Sequence, residues 1–287
     1  MKTIIMSDSN CDLSQEYLRA HNIPTIPFSF VMDGVEYIDD KESIKTEDYY
    51  KKLSEGSMSQ TSQITPFAFE EVFLKHIELG NQLIYIGFSS QLSQTLSNAV
   101  VAKQAILNQY PEAKIAVIDS ISATNGQALL VDAAIRLDQE GHSFDKIVSW
   151  LEENKNNVNI WFTVDDLEHL RRGGRISGAS AFIGKAAKIK PVMNMSPDGK
   201  LIPIAKVRTR KKSLKHLVTE FDQRFIASKQ QKVFIHHGNC FEDAKYVEKL
   251  IKENHFVDVE INSIGPVIGA HTGEGVISLA YLGTARD

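Results

Sequence analysis

Cysteine is nearly missing from this 287-residue chain, which has only Cys11 and Cys240. Two distant cysteines exclude a disulfide framework and a thiolate zinc site. No run approaches the ~20 apolar residues of a membrane span. The N-terminus, Met1-Lys2-Thr3-Ile4-Ile5-Met6-Ser7-Asp8, meets an acid too early for a secretory leader, so the cytoplasm is the expected compartment. There is no Gly-x-x-x-x-Gly-Lys-Ser/Thr and no Gly-x-Gly-x-x-Gly after a strand, which excludes the usual nucleotide cradles. Histidines, cysteines and acids show no metal-ligand spacing, and no segment joins a nucleophile, a base and an orienting acid. Internal repeats, heptads and low-complexity stretches are also absent.

What remains is an ordinary globular composition, 43% hydrophobic and 24% charged, in a chain long enough for two modest domains. The net charge of −4 hides an asymmetry: residues 168–216 carry 13 Lys/Arg against two acids, giving +11, and the remainder carries −15. A bipolar molecule orients against a charged partner, although a solvated basic face is the plainer account. A nucleic-acid or nucleotide-binding regulator using residues 168–216 is therefore a second hypothesis. The acidic total and the lack of an aromatic-rich basic motif stand against it.

The first half alternates strands and helices. Residues 3–6 form a short apolar strand, a helix runs from residues 12–14 to Ala20, and residues 24–30 read as a second strand whose prolines suit an edge. Thr65 as N-cap and Pro66 at the first helical position open a helix over 67–79. Strands at 83–88 and 115–119 flank a helix over 96–109, and helices over 126–139 and 144–154 follow. Strands separated by helices of this length predict parallel βαβ units. After the polar run 152–157 come a strand at 160–164, a short helix from Asp166 to Arg172 stopped by Gly173-Gly174, and a helix from Ser177 to Lys188. Residues 191–195 and 201–205 form a hairpin turning at Asp198-Gly199. A helix over 213–225, a strand at 233–236, a helix over 241–253 and strands at 257–264 and 276–281 complete the chain. The expected fold class is α/β: a parallel-sheet domain over 1–157 and a second α/β domain with a mixed sheet over 158–287.

Three polar loops carry the candidate chemistry: Thr61-Ser62-Gln63-Ile64-Thr65-Pro66, Ser89-Ser90-Gln91-Leu92-Ser93-Gln94-Thr95, and residues 265–273 around His271. Ser93 lies at or beside a helix N-cap, where its hydroxyl, free backbone N–H groups and the helix dipole favour an anion. Ordinary capping is the plainer account of a lone serine there. Thr61 and Ser62 precede a second helix start. His271, flanked by glycines that permit close backbone approach, can donate to a carboxylate or phosphate. The Arg171-Arg172-Gly173-Gly174-Arg175 turn has the charge to grip phosphates but fits no P-loop, and cations at a helix C-terminus match the dipole anyway. Asp8, Asp12 and Asp119 are strand-end carboxylates for which capping and turn roles suffice. His236-His237 point to opposite faces of a strand, a poor metal site. The three loops together suit an anionic head group and point to a binding protein before an enzyme. A stand-alone acyl or phosphoryl transferase, with Ser93 as nucleophile and His271 as base, lacks an orienting acid.

These residues resemble the DegV family, the FakB fatty-acid-binding subunits of bacterial fatty acid kinases. The resemblance runs through Ser7-Asp8-Ser9-Asn10-Cys11-Asp12-Leu13, Thr61-Ser62-Gln63, Ser89 to Thr95, Leu170 to Ser177, Lys190-Pro191-Val192, Lys206-Val207-Arg208 and Gly265 to Gly275. Gln94 stands where the family often has Gly, and Glu274 where Pro is frequent. The resemblance implies two α/β domains with the acyl chain of a long-chain fatty acid, such as palmitate or oleate, held between them. It places the carboxylate at Thr61, Ser62, Ser93 and His271, with no cofactor beyond the bound acid. It further implies an ATP-dependent kinase catalytic subunit as partner, docking at Arg208, with no role for nucleic acid or an integral membrane segment. The chain is then a carrier, and Phe28, Phe30, Phe88, Phe182 and Ile183 are candidates for the tunnel wall.

Overall fold

The computed structural model describes residues 1–165, 167–176, 189–227 and 231–286. Along the chain come β1 (Thr3–Asp8), α1 (Gln15–Ala20), β2 (Thr25–Ile26), β3 (Ser29–Met32), β4 (Val35–Ile38), α2 (Thr46–Ser54) and β5 (Ser59–Thr61). They are followed by α3 (Pro66–Glu78), β6 (Gln82–Gly87), α4 (Thr95–Gln109), β7 (Ile115–Asp119), α5 (Thr124–Gln139) and α6 (Phe144–Asn154). The remainder is β8 (Val158–Thr163), α7 (Glu168–Arg172), β9 (Ile189–Met195), β10 (Leu201–Arg208), α8 (Arg210–Arg224), β11 (Lys232–His237), α9 (Phe241–Asn254), β12 (Asp258–Ser263), α10 (Pro266–Thr272) and β13 (Ile277–Leu282). The expected helix from Ser177 to Lys188 and the start at Asp166 lie outside the described residues.

The fold is α/β, built on three sheets. A parallel sheet has the order β2-β1-β6-β7, and a mixed one the order β10-β9-β8-β13-β11-β12, in which only β11 and β12 run parallel. A small antiparallel sheet, β4-β3-β5, completes the set. The helix boundaries follow local chemistry: Ser14, Thr65 and Ser143 each accept a backbone N–H of the first turn, and Pro66 takes the first helical position.

Helix α5 ties the halves together. It is apolar nearly all round and packs on β1 and β6 of the parallel sheet and on β8, β11 and β13 of the mixed one. A Cβ at Gly126 would meet Ile160 Cδ1 at 2.2 Å, so glycine is what allows the helix to lie this close to β8. Its polar groups are bonded to both sheets: Gln127 Nε2 donates to Ser7 Oγ (2.9 Å) and Asn125 Nδ2 to the Phe234 carbonyl (3.1 Å). One apolar core consequently includes Ile5, Ile84, Phe162 and Phe234.

Three expectations are corrected. Residues 24–30 do not form one strand: Pro27 interrupts it, and the Phe28 N–H is taken by Ser9 Oγ (3.1 Å), so β2 joins the parallel sheet and β3 the small one. Elements β4, α2 and β5 were not foreseen, and Thr61 therefore closes a strand instead of sitting in a loop. Residues 265–273 are not a loop either. Pro266 starts helix α10 and Gly273, at φ +76°, ends it.

Candidate functional site

Strand β5 pairs Thr61 with Phe30 of β3, and helix α10 packs across β5, which brings His271 over Thr61. Thr61 Oγ1 and His271 Nε2 are hydrogen bonded at 3.1 Å. Gly269 lets α10 settle here, since a Cβ at that position would lie 2.8 Å from the Tyr50 hydroxyl. On its other side the imidazole meets the end of α7, where a Cβ on Gly173 would fall 2.2 Å from Nδ1. Among the described residues Nδ1 has no hydrogen-bond partner. Burial, with the charges of Arg175 and His169, pulls the His271 pKa down to about 4, so the ring is neutral at neutral pH.

Ser93 sits just before α4. Its Oγ lies 2.9 Å from Thr95 Oγ1 and accepts the Thr95 N–H at 3.2 Å, while Gln94, the N-cap residue, makes no side-chain cap. The Ser62 N–H donates to the Ser29 carbonyl at 2.9 Å. Thr61, Ser62, Ser93 and His271 all line one cavity of about 900 Å3, its mouth included. The rest of its wall is mainly apolar and comes from both halves of the chain, with Phe28, Phe88, Phe162, Leu201 and Ile268 among the contributors.

Phe28 and Phe88 thus lie where the sequence placed them, on the wall. Phe30 does not: it is fully buried in a separate core, stacked on Tyr37 at 5.3 Å. Phe182 and Ile183 lie outside the described residues. Arg208 is exposed at the end of β10, an edge strand, and does not line the cavity. Arg175 was named in the sequence only as part of the Arg171-to-Arg175 turn and not with the head-group residues. Its Nε donates to the Leu92 carbonyl at 3.3 Å and it lines the cavity. It also lines an outer cleft shared with Arg172, His169, Thr61 and His271. The signal was its place in the Arg-Arg-Gly-Gly-Arg turn, but nothing local separates it from Arg171, which pairs with Glu168 at 2.7 Å.

The strand-end carboxylates have structural partners. Buried Asp8 accepts from Tyr85 Oη (2.7 Å) and the Phe88 N–H (3.0 Å), and Asp119 from the Ile121 N–H (2.8 Å). His236 is buried against Thr124 Oγ1, and burial drives its pKa well below the ordinary value. Among the described residues no three His, Cys, Asp or Glu are grouped to hold a metal ion, and no helix is long and apolar enough to cross a membrane.

The fold and this site define an α/β architecture with a largely apolar cavity whose wall also carries hydroxyls, an imidazole and a guanidinium. The chain belongs to the DegV family, whose profile, described as "Uncharacterised protein, DegV family", matches residues 2–284. It is 40% identical over 288 residues to a DegV domain-containing protein of Clostridium perfringens, covering 100% of this chain and 99% of that one. The crystal structure of DegV, a fatty acid binding protein from Bacillus subtilis, superposes with a TM-score of 0.83 at 29% identity, covering 99% of this chain and 100% of that one. A stearic acid-binding protein from Eubacterium ventriosum gives a TM-score of 0.84 at 29% identity over 99% of this chain and 98% of that one.

Proposed function

We propose that this chain binds one long-chain fatty acid, such as palmitate or oleate, and presents its carboxylate to an ATP-dependent fatty acid kinase subunit for phosphorylation. The observation that carries the reading is the Thr61–His271 contact, made by residues 210 apart in sequence, on the wall of a mostly apolar cavity. Burying about 15 methylenes at roughly 0.8 kcal/mol each yields on the order of 12 kcal/mol gross, ample for tight binding after association entropy. A carboxylate buried bare would cancel much of that, so donors must meet it. Thr61, Ser62, Ser93 and the neutral imidazole supply hydrogen bonds and Arg175 a positive charge.

The bound head group would face the outer cleft with Arg172 and Arg175, where a transferred phosphoryl group finds cations. Catalysis then belongs to the partner, for which Arg208 is the docking candidate. A transferase built on Ser93 and His271 is disfavoured: Ser93 is bonded to Thr95, and Gly173 packs against the imidazole nitrogen that an orienting acid would need. A nucleic-acid role finds no support either, because several cations of residues 168–216 are already paired, among them Lys190 with Asp165 (2.9 Å) and Arg210 with Asp243 (2.7 Å).

Lipid extraction and mass spectrometry of freshly purified protein test the reading. The expected result is a long-chain fatty acid near one per chain. An empty extract, with no uptake of added palmitate or oleate, would contradict it.

A further inference from the structure

Thr61, Arg175 and His271 line both the apolar cavity and the outer cleft, so the two spaces meet at the Thr61–His271 pair. An acyl tail in the cavity with its carboxylate at that pair turns the outer side of the carboxylate toward the cleft. A phosphoryl group joined to the carboxylate enters the cleft with it. Among the described residues no carboxylate lines the cleft, and its guanidiniums are those of Arg172 and Arg175.

Those two cations are not equally available. Arg175 spends Nε on the Leu92 carbonyl (3.3 Å) and Nη1 on the Gly173 carbonyl. Arg172 makes no ion pair among the described residues, and the nearby Glu168 is held by Arg171 through two bonds of 2.7 and 3.1 Å. Its Nη1 lies 3.1 Å from Met58 Sδ and its Nη2 3.1 Å from His169 Nδ1. A guanidinium only donates, so the imidazole accepts at Nδ1. The Cδ2–Nε2 side of the same ring packs on Gly273, where a Cβ would fall 2.7 Å from Cδ2 and 3.1 Å from Nε2. His169 is therefore wedged between the end of α10 and Arg172, and the chain wall behind the ring fixes where the guanidinium stands.

We propose that His169 is a positioning residue: it holds Arg172 in the outer cleft to receive the phosphoryl group of a long-chain acyl phosphate, so that the chain prefers the phosphorylated acid to the free acid. This rests on the fatty-acid reading above. A phosphoryl group takes a fork of charge-assisted hydrogen bonds from arginine, and a guanidinium already held by its neighbours loses less freedom in making them. The free carboxylate stops at Thr61 and His271 and gains less from Arg172.

The test is displacement of a fluorescent fatty acid by palmitic acid and by the phosphonate analogue of palmitoyl phosphate, in which a methylene replaces the bridging oxygen and blocks hydrolysis. Wild type should bind the phosphonate about tenfold more tightly than palmitate. Arg172→Ala and His169→Leu should each remove most of that preference, with palmitate binding showing that the variants are folded. His169→Asn, whose Oδ1 restores an acceptor near the place of Nδ1, should recover it, and His169→Leu should cost nothing further in an Arg172→Ala background. If wild type shows no preference, if His169→Leu keeps it, or if the loss is the same without Arg172, His169 does not position Arg172 and the fatty-acid reading stands. If neither palmitate nor the phosphonate binds wild type, the fatty-acid reading itself fails.

Discussion

Gly173 and His271 are packed so closely that a Cβ on residue 173 would lie 2.2 Å from the imidazole Nδ1. The contact leaves that nitrogen without a partner among the described residues and holds the ring with Nε2 toward Thr61. The backbone at Gly173 has φ −70°, which alanine adopts freely, so a methyl group there acts mainly through the imidazole, the His169 carbonyl being its next neighbour at 3.3 Å. Gly173→Ala should weaken fatty-acid binding by about 1–2 kcal/mol, in the range for overpacking. In a His271→Ala background the same substitution should cost little, and a double-mutant cycle measured by displacement titration reads the difference.

Thr61→Ala, Ser93→Ala and His271→Ala should each weaken binding of palmitate by roughly 1–3 kcal/mol, because the buried carboxylate loses a donor. Titration calorimetry checks this. Wild-type affinity in all three would remove these side chains from the head-group site.

Arg175 contributes to holding the imidazole neutral, after burial itself. Arg175→Gln should therefore move the His271 pKa upward from about 4, and NMR titration of the ring measures the shift. The same variant should bind palmitate less tightly, whereas Arg208→Ala should bind it normally and slow acyl phosphate formation once the kinase subunit is added.

Asp12 is buried beneath α10, where its Oδ1 accepts the Gly265 N–H at 2.8 Å. Burial is the main cause raising its pKa from 3.8 to about 7, and neighbouring Asp39 is raised to about 6. A folded-state pKa above the unfolded one means that the folded chain holds more protons between these values, so stability falls as pH rises from about 4 to about 7. Asp12→Asn keeps an acceptor for Gly265 and suits the left-handed backbone at φ 53°. Its melting temperature relative to wild type should climb across that window and level off above it.

Most of the framework was legible because long strands and helices announce themselves by period and caps. Residues 144–154 were read with the observed ends, and the Asp198-Gly199 hairpin marks itself by its turn. The small sheet was not legible, since Val35, Glu36 and Ile38 of β4 are exposed and carry no inward pattern. Helix α10 was read as a loop because its Gly269 lowers helix propensity. That glycine is required by Tyr50, a contact 219 residues away that no local pattern encodes. Thr61, Ser93 and His271 were found as hydroxyls and an imidazole in polar segments, but their shared cavity and the entry of Arg175 follow only from tertiary packing.

The most direct measurement is a crystal structure of the protein loaded with palmitate. The account predicts the carboxylate within hydrogen-bond distance of Thr61 Oγ1, Ser93 Oγ and His271 Nε2, with the tail running between Phe28, Phe88 and Phe162. An acid bound elsewhere, or reversed with its carboxylate away from His271, would contradict it.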